Sequence, residues 1–224
     1  MDQMSSEKFV ISCIDYRYPD YLTQFLNSYC GLNQQYYLGT VAGASLPISY
    51  SAYCRNYGGG CTCKSWCTNN LLKTGVLTNV DISMQLSTTI DEIFIINHQD
   101  CGAFKTFLPA SGYPKELGKD NTLEIKIQQQ SMFLTQTMLQ KRYYPYWNRY
   151  YDPQISLFLM DINGSVARYE NEEWKVIFYG PGNDARGWWV IPSPPLPTWK
   201  NFFVSYLFSL LAYIGRPIFF VSDV

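Results

Sequence analysis

Two apolar runs in this chain end in residues able to hold a metal ion. The first is Phe9-Val10-Ile11-Ser12-Cys13-Ile14-Asp15 and the second is Glu92-Ile93-Phe94-Ile95-Ile96-Asn97-His98. Each is continuously apolar until polar residues begin at its C-terminal end. A run without alternation is the pattern of a strand buried on both faces, and such strands belong to parallel sheets covered by helices. Helical spacing follows the first run: Pro19 suits a first turn, Leu22, Phe25, Leu26 and Tyr29 repeat at helical intervals, and Gly31 is a natural stop. A second strand is predicted over 35–41, ending in Ala42-Gly43-Ala44.

Residues 45–76 read as an irregular, cysteine-containing insertion with a short helix; they include Gly58-Gly59-Gly60 and four cysteines. Thr78 or Asn79 is the expected cap of a helix that turns Val80, Met84, Leu86 and Ile90 to the core. A long helix is predicted over 122–142 with Leu123, Ile127, Leu134 and Met138 on one stripe. Then come a strand over 155–162, an Asn163-Gly164 turn and two short β segments, 166–169 and 174–179. Strands alternating with helices imply one α/β domain over 1–224 with a mainly parallel sheet flanked by helices. In that architecture a site forms beyond the carboxyl ends of the strands, where strand order reverses. Cys13 and His98 both stand near such ends.

Two motifs carry the chemistry: Cys13-x-Asp15-x-Arg17 and His98-x-x-Cys101-Gly102-Ala103. Two thiolates and an imidazole make a sound zinc set that leaves a fourth position for water. His98 and Cys101 leave one strand together, so a sharp turn can aim both at one ion, with Gly102 expected to permit it. Cys13 arrives from a neighbouring strand about 4.8 Å away. Asp15 can accept a hydrogen bond from a hydroxide on the metal, and Arg17 can hold Asp15 ionised by a bidentate contact. The bland alternatives are a hydrogen-bonded strand-end histidine, two packed cysteines and a structural ion pair.

These residues resemble the β-class carbonic anhydrases, whose pattern is Cys-x-Asp-x-Arg after the first strand and His-x-x-Cys-Gly after a later one. The resemblance covers roughly residues 8–45 and 78–162, and takes in the small-residue turn Ala42-Gly43-Ala44. It implies zinc-dependent hydration of carbon dioxide to bicarbonate by a zinc-bound hydroxide. It also implies a homodimer or larger assembly, and an aspartate that can itself take the fourth zinc position. Tyr16, Asn97 and Ala44 depart from the family's usual serine, glycine and asparagine at those places. The alternative expectation is a zinc-binding assembly protein that keeps the fold without the turnover.

Charge excludes one class of partner. With 17 Lys and Arg against 18 Asp and Glu, the net charge of −1 offers no electrostatic reason to bind nucleic acid. The tyrosines and basic residues interleaved over Lys141–Pro153 are therefore read as a packed loop. Seven cysteines, an odd number with no signal peptide evident, point to the cytoplasm or another reducing compartment. Cys54, Cys61, Cys63 and Cys67 are accordingly expected as free thiols rather than as a second zinc site. The extension over 191–224 joins a Pro-rich strap to an apolar segment, Asn201–Gly215, and a last strand. Intrachain packing of that segment is favoured over membrane contact.

Overall fold

The computed structural model describes residues 7–33, 35–57, 62–87, 89–108, 121–143 and 153–181. By its internal contacts the chain divides into Met1–Pro192 and Ser193–Val224, and every described residue lies in the first unit. The Pro-rich strap, the apolar tail, the glycine triplet and residues 144–152 of the tyrosine-rich stretch lie outside the described residues.

The elements run β1 (Glu7–Ser12), α1 (Pro19–Gln24, continued by a π-helical turn over Phe25–Tyr29), β2 (Tyr36–Thr40), α2 (Leu46–Tyr57) and α3 (Cys63–Leu86). They continue as β3 (Ile90–His98), α4 (Gly102–Phe107), α5 (Asn121–Tyr143), β4 (Gln154–Met160), β5 (Val166–Glu170) and β6 (Glu173–Phe178). Six strands form one sheet in the order β2-β1-β3-β4-β5-β6. The first four are parallel, with Ile11 opposite Ile95 and Ile95 opposite Leu157. β5 and β6 add as an antiparallel edge. Strand order reverses between β1 and β3, because β1 leads outward to β2 and the chain then returns across to β3.

Both faces of the sheet are covered. Phe9, Ile11, Ile93, Ile95, Leu157 and Leu159 pack against Val76, Val80 and Met84 of α3 and Ile125, Met132 and Leu139 of α5. Their neighbours Val10, Phe94, Ile96, Phe158 and Met160 face the other way, onto Leu22, Phe25 and Leu26 of α1 and its π turn. This double burial is why the strands read as unbroken apolar runs. A third cluster, Leu46, Tyr50, Tyr53, Phe104, Leu108 and Ile127, gathers α2, α4 and α5 beneath Cys101.

The expected irregular insertion is instead mostly two helices, α2 and α3, and no helix starts at Thr78 or Asn79. α3 begins at Cys63, capped by Thr62, whose Oγ1 accepts from the Ser65 N–H at 3.1 Å. Its buried positions are Asn69, Val76, Leu77, Val80, Ser83 and Met84, a helical stripe whose polar members hide it from an apolar count. Leu86 is 75% exposed and Ile90 belongs to β3, so neither serves that helix's core face. The stripe on α5 is also shifted: of the expected residues Ile127 is buried, Leu123, Leu134 and Met138 are half-buried, and Ile125, Gln128, Met132, Thr135 and Leu139 are buried. Polar residues are affordable there because α2 answers them. Ser131 Oγ lies 2.8 Å from both Ser45 and Ser49 Oγ, and the Thr135 hydroxyl donates to the Ser45 carbonyl.

Cys54 is disulfide-bonded, against the expected free thiol, whereas Cys67 is free. Cys54 lies on α2, which packs against α3, and sequence spacing alone does not choose between a thiol and a disulfide there. No helix among the described residues is long and apolar enough to cross a membrane.

Candidate metal centre

The β1 and β3 exits place Cys13 and His98 side by side, and the loop after β3 returns Cys101 to them. Ligating atoms of the three residues all lie within 4.8 Å of one another, the one such group among the described residues. Cys13 Sγ stands 3.9 Å from Cys101 Sγ. Two sulfurs bound to a tetrahedral zinc at about 2.3 Å would stand about 3.8 Å apart, so the spacing fits a shared ion.

His98 supplies the decisive detail. Its Nδ1 lies 2.6 Å from the Gln99 carbonyl oxygen, and a carbonyl can only accept. Nδ1 therefore carries a proton, and Nε2 is the nitrogen left to face the sulfurs. That Nε2 is fully buried and makes no hydrogen bond of normal geometry. A buried polar nitrogen without such a bond is costly, and a metal ion shared with the two sulfurs would satisfy it. Tyr18 supports this arrangement: its ring lies 4.1 Å from the imidazole, and its hydroxyl donates to the same Gln99 carbonyl at 2.9 Å.

The sulfurs are electronically prepared. Contact with Cys101, then the nearby His98 and the Gly43 N–H at 3.3 Å, pull the Cys13 thiol down to about 4 against the opposing effect of burial. Cys101 is pushed up, first by Cys13 and then by burial, although the Phe104 and Ala103 N–H groups point at it. One thiol of the pair is thus favoured as the thiolate and the other as the thiol, and a cation held here would take the place of the remaining proton.

Gly43 sits at φ +83, and a Cβ there would meet Leu46 Cβ at 3.0 Å and Ala103 Cβ at 3.1 Å. Ala44 follows at φ +46, in the left-handed region where the resembling family's asparagine is at ease. Gly102, by contrast, has open space around its missing side chain and no positive φ. The sharp turn between His98 and Cys101 is made by Asp100, at φ +56.

Asp15 and Arg17 form the expected dyad. Arg17 donates from Nε to Asp15 Oδ1 at 2.9 Å and from Nη2 to Oδ2 at 2.7 Å. These charge-assisted bonds hold the Asp15 carboxyl below its usual range, ahead of the opposing cost of burial. Asp15 Oδ2 lies 3.9 Å from His98 Nε2, so the dyad borders the three ligands without joining them. Tyr16 is 87% exposed, and its departure from the family serine touches none of these groups. Asn97 is buried, and its Oδ1 accepts from the Ser45 N–H at 3.2 Å.

Sequence reasoning missed two acidic residues. Asp100 binds the far side of Arg17, and Glu124, buried on α5, accepts from the Asp100 N–H. The aspartate could have been found, because Asp and Asn are the side-chain-bearing residues most tolerant of a left-handed turn. Nothing in the sequence singles out Glu124.

A cavity of about 240 Å³ lies beside Cys13 and His98 between the sheet and α1. Leu22, Leu38, Ile96 and Met160 make its walls largely apolar. No protein-family model matches the chain, and no curated protein matches it.

Proposed function

We propose that this chain is a zinc enzyme of the β-class carbonic anhydrase type, hydrating carbon dioxide to bicarbonate. The observation that carries the reading is the buried, unpartnered Nε2 of His98 facing two sulfurs at zinc-like spacing. Cys13, His98 and Cys101 would hold the ion, which when bound supplies a water acidic enough to act as a nucleophile near neutral pH. The two thiolates offset most of the ion's charge, so the neutral cavity beside it suits an uncharged substrate.

Asp15 is the group that orients the nucleophile. Both of its oxygens are engaged by Arg17, which fixes the plane of the carboxylate and keeps it an acceptor throughout. A fixed acceptor beside the ligands would accept a hydrogen bond from the nucleophile and so turn its lone pair to the substrate carbon. The apolar walls of the cavity accept carbon dioxide without competing for its oxygens. With one histidine in the chain, already committed to the ligand set, the released proton passes to water or buffer rather than to an imidazole shuttle.

Stopped-flow hydration of carbon dioxide by the zinc-loaded protein tests the reading, with Asp15→Asn as the diagnostic variant. The expected result is turnover in the parent and loss of most of it in Asp15→Asn, with zinc retained. Zinc retained in both and turnover in neither would leave the assembly role as the better account.

A further inference from the structure

Arg17 is held from two sides. Asp15 takes Nε and Nη2 on one edge. On the other, Asp100 accepts from Nη1 through Oδ2 at 2.6 Å and from Nη2 through its main-chain carbonyl at 2.9 Å. Asp100 is fixed in turn: its N–H donates to the Glu124 carboxylate, and its Oδ1 accepts from Lys105 Nζ. A left-handed backbone is unfavourable for a residue with a side chain, so these contacts maintain a conformation the loop would not choose alone. Asp15 and Asp100 are each 13% exposed, whereas Arg17 between them is 35% exposed. The guanidinium is thus the more exposed member of the three, held between the two carboxylates.

We propose that Asp100 is a positioning residue for Asp15: by clamping the far edge of Arg17, it keeps the Asp15 carboxylate turned to Arg17 and away from the point where Cys13, His98 and Cys101 converge. The inference rests on the metal-centre reading above. A carboxylate is itself a good zinc ligand, and Asp15 Oδ2 is already 3.9 Å from His98 Nε2. What opposes its approach is the bidentate grip of Arg17. Without the Asp100 carboxylate the far edge of the guanidinium keeps only the main-chain carbonyl of residue 100, and Asp15 becomes a competitor for the position an incoming ligand needs.

The experiment uses the cobalt-substituted protein, whose visible absorption reports the ligands of the ion, titrated with azide as an external fourth ligand. Asp100→Gly keeps the left-handed turn and its main-chain acceptor but removes the carboxylate half of the clamp; Asp100→Asn keeps the turn and a neutral side-chain acceptor. The apparent affinity for azide should fall about tenfold or more in Asp100→Gly, as for a site competent about a tenth of the time. It should fall less in Asp100→Asn, and Asp15→Asn added to Asp100→Gly should restore it. Unchanged azide affinity in both single variants would overturn the proposal. So would a loss that Asp15→Asn does not restore, since Asp100 would then be holding only its own loop. A parent protein that takes up no cobalt would overturn the metal-centre reading, and this inference with it.

Discussion

Replacing Gly43 by alanine should damage this protein far more than the same change at Gly102, although each glycine adjoins a cysteine of the site. At Gly43 the backbone sits at φ +83, which for a residue with a Cβ costs about 1–2 kcal/mol. The new Cβ would also stand 3.0 Å from Leu46 Cβ and 3.1 Å from Ala103 Cβ. Both neighbours are carbons fixed to the main chain, so neither can rotate aside, and overpacking of this kind adds about 1–3 kcal/mol. The expected destabilisation is about 2–5 kcal/mol, read from urea denaturation of the metal-free protein, where ligand binding does not contribute. Relief of the clash would also move the N–H that donates to Cys13 Sγ, so zinc affinity should fall in the same variant. At Gly102 the added methyl meets nothing within 4 Å, and the residue opens α4. Gly102→Ala should therefore be neutral or stabilising by up to about 1 kcal/mol, through the less flexible unfolded chain. Equal losses at the two positions, or a Gly43→Ala cost below about 0.5 kcal/mol, would refute this account of the turn.

Two further outcomes follow from the same geometry. Cys101→Ser should lose most of its zinc by elemental analysis, because a hydroxyl is a far weaker zinc ligand than the thiolate it replaces; full retention would remove Cys101 from the ligand set. Burial pushes the Asp161 carboxyl above its ordinary value, against the pull of the Ser165 and Asn163 N–H groups on Oδ1, and Oδ2 has no hydrogen-bond partner. A folded-state pKa raised above the unfolded one means stability is lost as pH rises from the unfolded value through the folded one. Asp161→Asn keeps the Oδ1 acceptor and carries no charge, so its stability relative to the parent should improve between pH 3 and pH 7. A difference that is flat with pH would show that Asp161 titrates as it does in the unfolded chain.

The sheet was legible because its chemistry is one-dimensional. A strand buried on both faces must be apolar throughout, and β1, β3 and β4 declare themselves on that ground alone. The candidate metal group was legible for a related reason: reactive residues stand where two such runs stop, and parallel pairing brings those stops together. The helices α2, α3 and α5 were harder to read. Their buried faces include Ser45, Ser49, Asn69, Ser83, Gln128, Ser131 and Thr135, and several of these are satisfied by hydrogen bonds between α2 and α5. An apolar periodicity cannot see a contact surface built from hydroxyls and amides. The same limit hid the support behind the dyad. Asp100 and Glu124 are far apart in sequence and meet only because α5 crosses beneath the loop after β3. Gly102 was assigned the turn because glycine is the residue that tolerates one, whereas an aspartate held by its neighbours makes it here.

The central claim, one metal ion shared by Cys13, His98 and Cys101, is tested most directly by X-ray absorption at the zinc edge of the zinc-loaded protein. The account predicts two sulfur ligands at about 2.3 Å and two nitrogen or oxygen ligands at about 2.0–2.1 Å, with one sulfur lost in Cys101→Ser. A parent spectrum with more than two sulfurs would bring in a cysteine from outside this group, and one with no sulfur would place the ion away from Cys13 and Cys101 altogether; either would contradict the assignment.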